Sequence, residues 1–346
     1  MPPSLPIPDH DSADDLWLKD PGTIKRFLHN KVQYEQLCSE VEYILKKKIL
    51  EEKIQTSFIG SRAKTLSSFI EKVSRKKYSS PFDEIKDFAG ARIVCLYHQD
   101  LELVRELIIN EFDILEEVDK VEELGSNRFG YGATHFVVAL AEKYSGARYD
   151  DLRNLNCEIQ VRTVVQDAWA IIQHHMIYKK ESEIPTHILR KLNSLAGLFE
   201  VVDDQFQRIR EQRDSYLTWV RSNLAEESDT SKTELNTDSL IEYLKWKFPK
   251  LLPDSWDGQV SLVVNCLQQH EYKTLGDIER AFKKFDVSIE KIIATLEKAE
   301  KIKRTENNGV PSIIYVVIAA SLENEGVMSD LGVPEYWVEM ISSYKK

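Results

Sequence analysis

Residues 155–162 read LNCEIQVR, and their alternation is strict. Glu158, Gln160 and Arg162 fall on one side of an extended chain, Ile159 and Val161 on the other. Such a segment is a strand with one apolar face and one face free to carry polar chemistry. Outward from it, Phe88–Tyr97 (FAGARIVCLY), Phe112–Val121 and Ala133–Ala141 (ATHFVVALA) are apolar and β-prone. Helical spacing is read over 99–110 and 163–180. Upstream, the pattern is helical over 14–57, with Leu37, Val41, Ile44 and Leu45 in phase, and again over 62–77. A long helical run covers 186–224. Interleaved strands and helices predict an α/β sheet domain.

Beyond it, residues 225–238 (AEESDTSKTELNTD) are polar and acidic and are read as a linker. Residues 239–346 are helical throughout, near 239–247, 257–270, 274–285, 288–303, 312–323 and 334–344, which predicts an all-α C-terminal domain with its own core. Residues 1–13 are Pro-rich and acidic and read as a disordered leader, not as a signal or transit peptide. The four cysteines, Cys38, Cys95, Cys157 and Cys266, form no CxxC pair and are expected as buried thiols rather than zinc ligands. No apolar run approaches the ~18 residues of a membrane span. The expectation is a soluble cytoplasmic protein with no membrane or DNA partner, free to form a homo-oligomer.

The net charge of the 346 residues is −11, which argues against a general nucleic-acid binder. It is unevenly spread. Between Ile44 and Ser80 stand ten Lys or Arg and three Asp or Glu, a balance of +7, leaving −18 for the rest. A basic site on an acidic body still suits a phosphorylated ligand.

The basic segment holds the first candidates. On a helix over 62–77, Lys64, Ser68 and Lys72 would lie within ~80° of one another, opposite Leu66, Phe69, Ile70 and Val73. Such a row matches a polyphosphate, and Arg62 adds a guanidinium for phosphate or base. A solvated basic face fits the same pattern. Asp87 precedes a strand, where its carboxylate can leave the sheet end; Gly90 permits close approach. Arg92, charged in an apolar strand, needs a partner. Glu158 on a central strand can meet Asp87 from a neighbour, and two such carboxylates suit magnesium; an edge strand with a wet polar face is the alternative. Tyr131, between Gly130 and Gly132, is placed to stack on a base, with His135 four residues on. On a helix over 163–180, Thr163, Asp167, His174 and Tyr178 share a stripe, while Trp169 points to the core.

Taken in order, Arg62-x-Lys64-xxx-Ser68-xxx-Lys72, Asp87-xx-Gly90-x-Arg92, Gly130-Tyr131-xxx-His135, Glu158-x-Gln160-x-Arg162-Thr163 and Trp169-Ala170-xxx-His174-xxx-Tyr178-Lys179 resemble the synthetase domain of the RelA/SpoT alarmone synthetases. The resemblance covers roughly 55–180 and, by analogy to the small single-domain synthetases, extends the domain to 14–224. It implies a mixed β-sheet flanked by helices, related to nucleotidyltransferases. It implies transfer of the β,γ-pyrophosphate of ATP to the 3′-hydroxyl of GDP or GTP, giving (p)ppGpp and AMP. It further implies ATP binding by Arg62, Lys64, Ser68, Lys72 and Arg92. Asp87 and Glu158 would be catalytic and hold Mg2+. The acceptor would meet Tyr131, His135, Gln160, Arg162 and His174.

Around the acceptor loop the family usually reads Lys-Pro-Asn-Gly-Tyr-Arg-Ser-x-His, whereas this chain has Asn127 for the lysine and Gly132 and Ala133 for the Arg and Ser. Gln173 stands where the family usually has Glu. Fewer cations there keep a second expectation open: a toxin-like relative acting on the tRNA 3′ CCA end or an adenosine nucleotide, restrained by its C-terminal domain. A third is an inactive nucleotide-binding module.

Overall fold

The computed structural model describes residues 20–76, 78–119, 132–176, 185–226, 230–249, 259–299 and 311–344. Two compact units divide between Ile209 and Arg210, inside one long helix.

The first unit holds helix α1 (Pro21–Glu51), strand β1 (Thr56–Ala63), α2 (Leu66–Lys76), β2 (Ala89–Cys95), α3 (Gln99–Glu111), β3 (Phe112–Asp119), β4 (Thr134–Leu140), β5 (Cys157–Thr163), α4 (Val164–Met176) and most of α5 (Thr186–Ala225). The strands form one mixed sheet in the order β1-β2-β5-β4-β3, with β2 and β5 parallel and the other pairs antiparallel. The alternation of LNCEIQVR therefore belongs to the central strand. Cys157, Ile159 and Val161 pack with Ala91, Ile93 and Phe136 beneath α1 and α3, where Leu37, Val41, Ile44 and Ile108 complete the core. Glu158, Gln160 and Arg162 take the opposite face.

Two boundaries differ from the sequence reading, each for a local reason. Residues 56–63, expected partly in one helix and partly in the next, form edge strand β1. α1 ends at Glu51, Lys53 turns the chain at φ 56°, and Ser61, Arg62 and Ala63 pair with Ala91, Gly90 and Ala89. Thr65 then caps α2 by accepting from Ser68 N at 3.2 Å. Arg62 and Lys64 thus precede the helix. Four phenylalanines, Phe27, Phe69, Phe82 and Phe88, seat α2 against α1 and the start of β2. Thr163, expected on a helix stripe, ends β5. Its N donates to Gln166 Oε1 at 2.8 Å while its Oγ1 accepts from Gln166 N at 3.1 Å. This reciprocal cap starts α4. Thr163 Oγ1 also donates to the buried Asp203 of α5 at 2.6 Å, and Trp169 packs on Leu192 and Ala196.

The second unit contains the end of α5, then α6 (Thr237–Lys247), α7 (Gln259–Gln269), α8 (Leu275–Lys298), α9 (Ser312–Glu323), α10 (Glu325–Asp330) and α11 (Glu335–Ser343). The stretch read as a linker is built into this unit. Thr233 and Leu235 are buried, and Leu235 N donates to Lys273 O while Leu275 N donates to Thr233 O. The helices expected at 274–285 and 288–303 meet within α8 at a kink, where Phe285 leaves helical geometry. All four cysteines are free and buried. Cys266 lies beside His270 and Asp330, but both His270 ring nitrogens are used: Nε2 donates to Asp330 Oδ2 at 2.8 Å and Nδ1 accepts from Asn324 at 3.1 Å. That arrangement clips the end of α7 to α10. No helix among the described residues is long and apolar enough to cross a membrane.

Candidate active site

Residues paired on adjacent strands present their side chains to the same face, so register alone lays out the polar face of the sheet. One row across it is Arg62–Gly90–Glu158–Val137, and the next is Gly60–Arg92–Gln160–His135. Gly90 opens a gap between Arg62 and Glu158. A Cβ there would sit 3.8 Å from the Arg62 carbonyl and 3.9 Å from that of Glu158, so the fold leaves the space open. A cavity of about 680 Å³ lies here, lined by Arg62, Lys64, Ser68, Asp87, Arg92 and Glu158 among others.

Asp87, just before β2, is held by two lysines. Lys64 Nζ lies 2.8 Å from Oδ2 and Lys72 Nζ 2.9 Å from Oδ1. Burial opposes ionisation of Asp87, but the two ammoniums outweigh it and hold the carboxyl below its ordinary range. Glu158 is also half-buried. Burial again opposes its charge, yet hydrogen bonds from His135 Nδ1 (3.1 Å) and Gln160 Nε2 (2.9 Å) outweigh that and keep it below the usual carboxylate range, while Asp87 repels it. Both are therefore carboxylates at neutral pH, close enough to feel each other.

The polar face continues upward. Arg162 Nη2 donates to Gln160 Oε1 at 2.6 Å, Arg162 Nη1 reaches Asp167 Oδ1 at 3.4 Å, and Arg92 Nη1 reaches the same oxygen at 3.1 Å. His135, Glu158, Gln160, Arg162, Asp167 and Arg92 thus form one hydrogen-bonded line.

Most residues singled out from sequence converge here, by a different route. Lys64, Ser68 and Lys72 are brought together by a strand-to-helix turn, not by one helix. Gln160 and Arg162 bond to neighbours within the line, and Arg162 does not line the cavity. His174 is exposed on α4 and does not line the cavity. Tyr131, with Asn127 to Gly130, lies outside the described residues. The sequence reading missed Phe58, Glu42 and Lys46. Phe58 is 53% exposed and folds its ring over Gly60, where a Cβ would come within 2.5 Å of the ring; Phe58 and Gly60 line the cavity. Glu42 accepts from Lys46 (2.6 Å) and Ser61 (2.7 Å) at the cavity margin. Recognising 56–63 as a strand was the signal that would have placed Phe58.

The donor set suits a hard divalent cation: two ionised carboxylates facing one cavity, each repelled by the other, with oxygen the only available donor on both.

Residues 61–183 match the family model described as "Region found in RelA / SpoT proteins". The GTP pyrophosphokinase YjbM of Bacillus subtilis (strain 168) is 30% identical over 159 residues, covering 44% of this chain and 71% of the relative. The GTP pyrophosphokinase YwaC of the same organism is 26% identical over 160 residues, 44% of this chain and 73% of the relative. The crystal structure of small alarmone synthetase 1 from Bacillus subtilis is 26% identical, covers 56% of this chain and 98% of that one, and superposes with a TM-score of 0.46. The 30% identity to YjbM over 71% of its length, together with the family-model match, makes the chain a member of the RelA/SpoT family of pyrophosphokinases, with the matched region in its first unit.

Proposed function

We propose that this chain transfers the β,γ-pyrophosphate of ATP to the 3′-hydroxyl of GDP or GTP, releasing AMP and forming (p)ppGpp. The observation that carries the reading is the pairing of Asp87 and Glu158 across one cavity whose other walls are the cations Arg62, Lys64 and Arg92. Phosphoryl chemistry needs charge neutralisation and in-line positioning more than covalent catalysis.

In this scheme Arg62 and Arg92 clasp the adenine, and Lys64, Ser68 and Lys72 receive the phosphates. The acceptor 3′ oxygen bonds to the β-phosphorus, the bond from that phosphorus to the α,β-bridging oxygen breaks, and AMP departs with the electron pair. Glu158, oriented by His135 and Gln160, takes the hydroxyl proton. Asp87 and Glu158 would hold Mg2+, which supplies charge neutralisation at the phosphate oxygens. Lys64 and Lys72 keep Asp87 ionised until then. Tyr131 and His174 would meet the acceptor.

A second reading has one observation in its favour. Gly132 and Ala133 replace the Arg and Ser of the family loop, which removes a cation from the acceptor side and favours an acceptor other than GDP or GTP, such as the tRNA 3′ end or an adenosine nucleotide. One experiment separates the readings: γ-labelled ATP incubated with Mg2+ and, in turn, GDP, GTP, ATP and bulk tRNA. Label moving to GDP or GTP alone is the expected result. Label on tRNA or ATP alone overturns the guanosine acceptor, and no transfer at all supports a nucleotide-binding module without activity or an enzyme restrained by its C-terminal domain.

A further inference from the structure

Asp167 stands in the first turn of α4, where the Thr163–Gln166 cap fixes the helix start and the helix dipole favours a carboxylate. Its Oδ1 accepts from two guanidiniums at once, those of Arg92 and Arg162. These arise from adjacent strands β2 and β5 and repel each other. Burial pulls the Arg162 guanidinium below its ordinary range, the Arg92 charge adds to this, and Asp167 is the counterweight. The Arg162 side chain is 12% exposed and Arg92 34%, so water screens their repulsion only in part. Arg92 lines the cavity; Asp167 and Arg162 do not.

We propose that Asp167 is a positioning residue, which holds the Arg92 guanidinium in the cavity wall against the repulsion of Arg162. The inference rests on reading Arg92 as part of the ATP subsite. A core ion pair with no such role would alter stability alone. A positioning role alters ATP affinity, and only through Arg92.

The test is a double-mutant cycle on the full chain: wild type, Asp167→Asn, Arg92→Gln and the double variant, with ATP affinity measured by equilibrium titration and KM and kcat by transfer of γ-label. Asp167→Asn is expected to weaken ATP binding and raise its KM by about tenfold, with kcat changed less than about threefold. The double variant should bind no worse than Arg92→Gln. Affinity within about twofold of wild type in Asp167→Asn overturns the proposal, and so do losses that multiply in the double variant. Should Asp167→Asn not fold, Asp167→Glu takes its place, and the same non-additivity is required of it. A wild type that binds ATP but transfers nothing overturns the proposed reaction and leaves the cycle readable from affinity.

Discussion

Half-buried Asp87 and buried Glu242 are each gripped by two cations, and the proposed reaction uses only the first. In the sheet unit Asp87 lies between Lys64 and Lys72. In the helical unit Glu242 of α6 lies between Arg221 of α5 (2.7 Å) and Lys245 (2.8 Å). Both are held below the ordinary carboxylate range, Asp87 by its lysines against burial and Glu242 chiefly by the Arg221 bonds. The difference lies in what surrounds them. The cations on Glu242 are about half exposed, so that cluster closes on itself and clips two helices. The lysines on Asp87 are mostly buried, a cavity lies alongside, and a second carboxylate repels it. An ion cluster becomes a site when the fold leaves its charges unbalanced beside open space.

The sharpest way to break this comparison is to neutralise each carboxylate in turn. Asp87→Asn or Glu158→Gln should lower pyrophosphate transfer by about a hundredfold or more, because each removes a charge needed at the reacting phosphates. The melting temperature should move by only a few degrees, since both groups border a cavity. Retention of more than about a tenth of the wild-type rate in either variant would sink the distinction, being a loss below ~1.4 kcal/mol.

Next in size is the gap itself. Gly90→Val keeps a strand former in β2, and the first added carbon meets nothing closer than 3.8 Å. It should leave unfolding free energy within about 1 kcal/mol of wild type and lower kcat/KM for ATP by about tenfold or more. Denaturant titration and kinetics on one preparation check both halves. Unchanged kinetics would mean that the space between Arg62 and Glu158 is not where substrate lies.

Glu242→Gln should show the converse: transfer unaffected and stability lower by about 1 kcal/mol. The figure stays small because exposed cations screen the pair. Denaturant unfolding measures it. A fall in kcat comparable with that of Asp87→Asn would make Glu242 part of the reaction and dissolve the contrast.

The legibility of these two regions in sequence differed for physical reasons. The central strand was readable because alternation in CEIQVR is a local signal, and its polar face carried Glu158. Strand β1 was not readable. TSFIGSRA follows thirty-one residues of helix without Gly or Pro to mark the end, and the left-handed turn falls on Lys53. Its pairing with β2 is a tertiary fact. Lys64 and Lys72, grouped in sequence as one row, do come together, on the Asp87 carboxylate, although the single helix drawn through them does not exist. Asp167 was visible only as one position on a helix stripe; its two arginines come from strands 75 and 5 residues away. Residues 225–238 looked like a linker because, among the described residues, their burial depends on Thr233 and Leu235, two small signals in a polar stretch.

The smallest effect tests how far local capping, rather than the ion clusters, sets the acid tolerance of the helical unit. Asp277 closes a capping box with Thr274 at the start of α8. Burial pushes its carboxyl up, but N–H bonds from Lys273 and Thr274 and the Arg280 guanidinium outweigh that and bring it down to about 2. A carboxyl depressed on folding contributes stability that is fully present above its unfolded value, about 3.9, and is lost as pH falls toward 2. The side chain is partly exposed, so the contribution is discounted to about 1 kcal/mol or less. Asp277→Asn should therefore lower stability at pH 7 by that amount and flatten the stability profile between about pH 4 and pH 2, while Glu242→Gln leaves the Asp277 share of that slope in place. Denaturant unfolding of both variants across this range decides the matter. If Asp277→Asn keeps the wild-type slope, the cap does not set the acid limit and the Glu242 cluster is the better candidate.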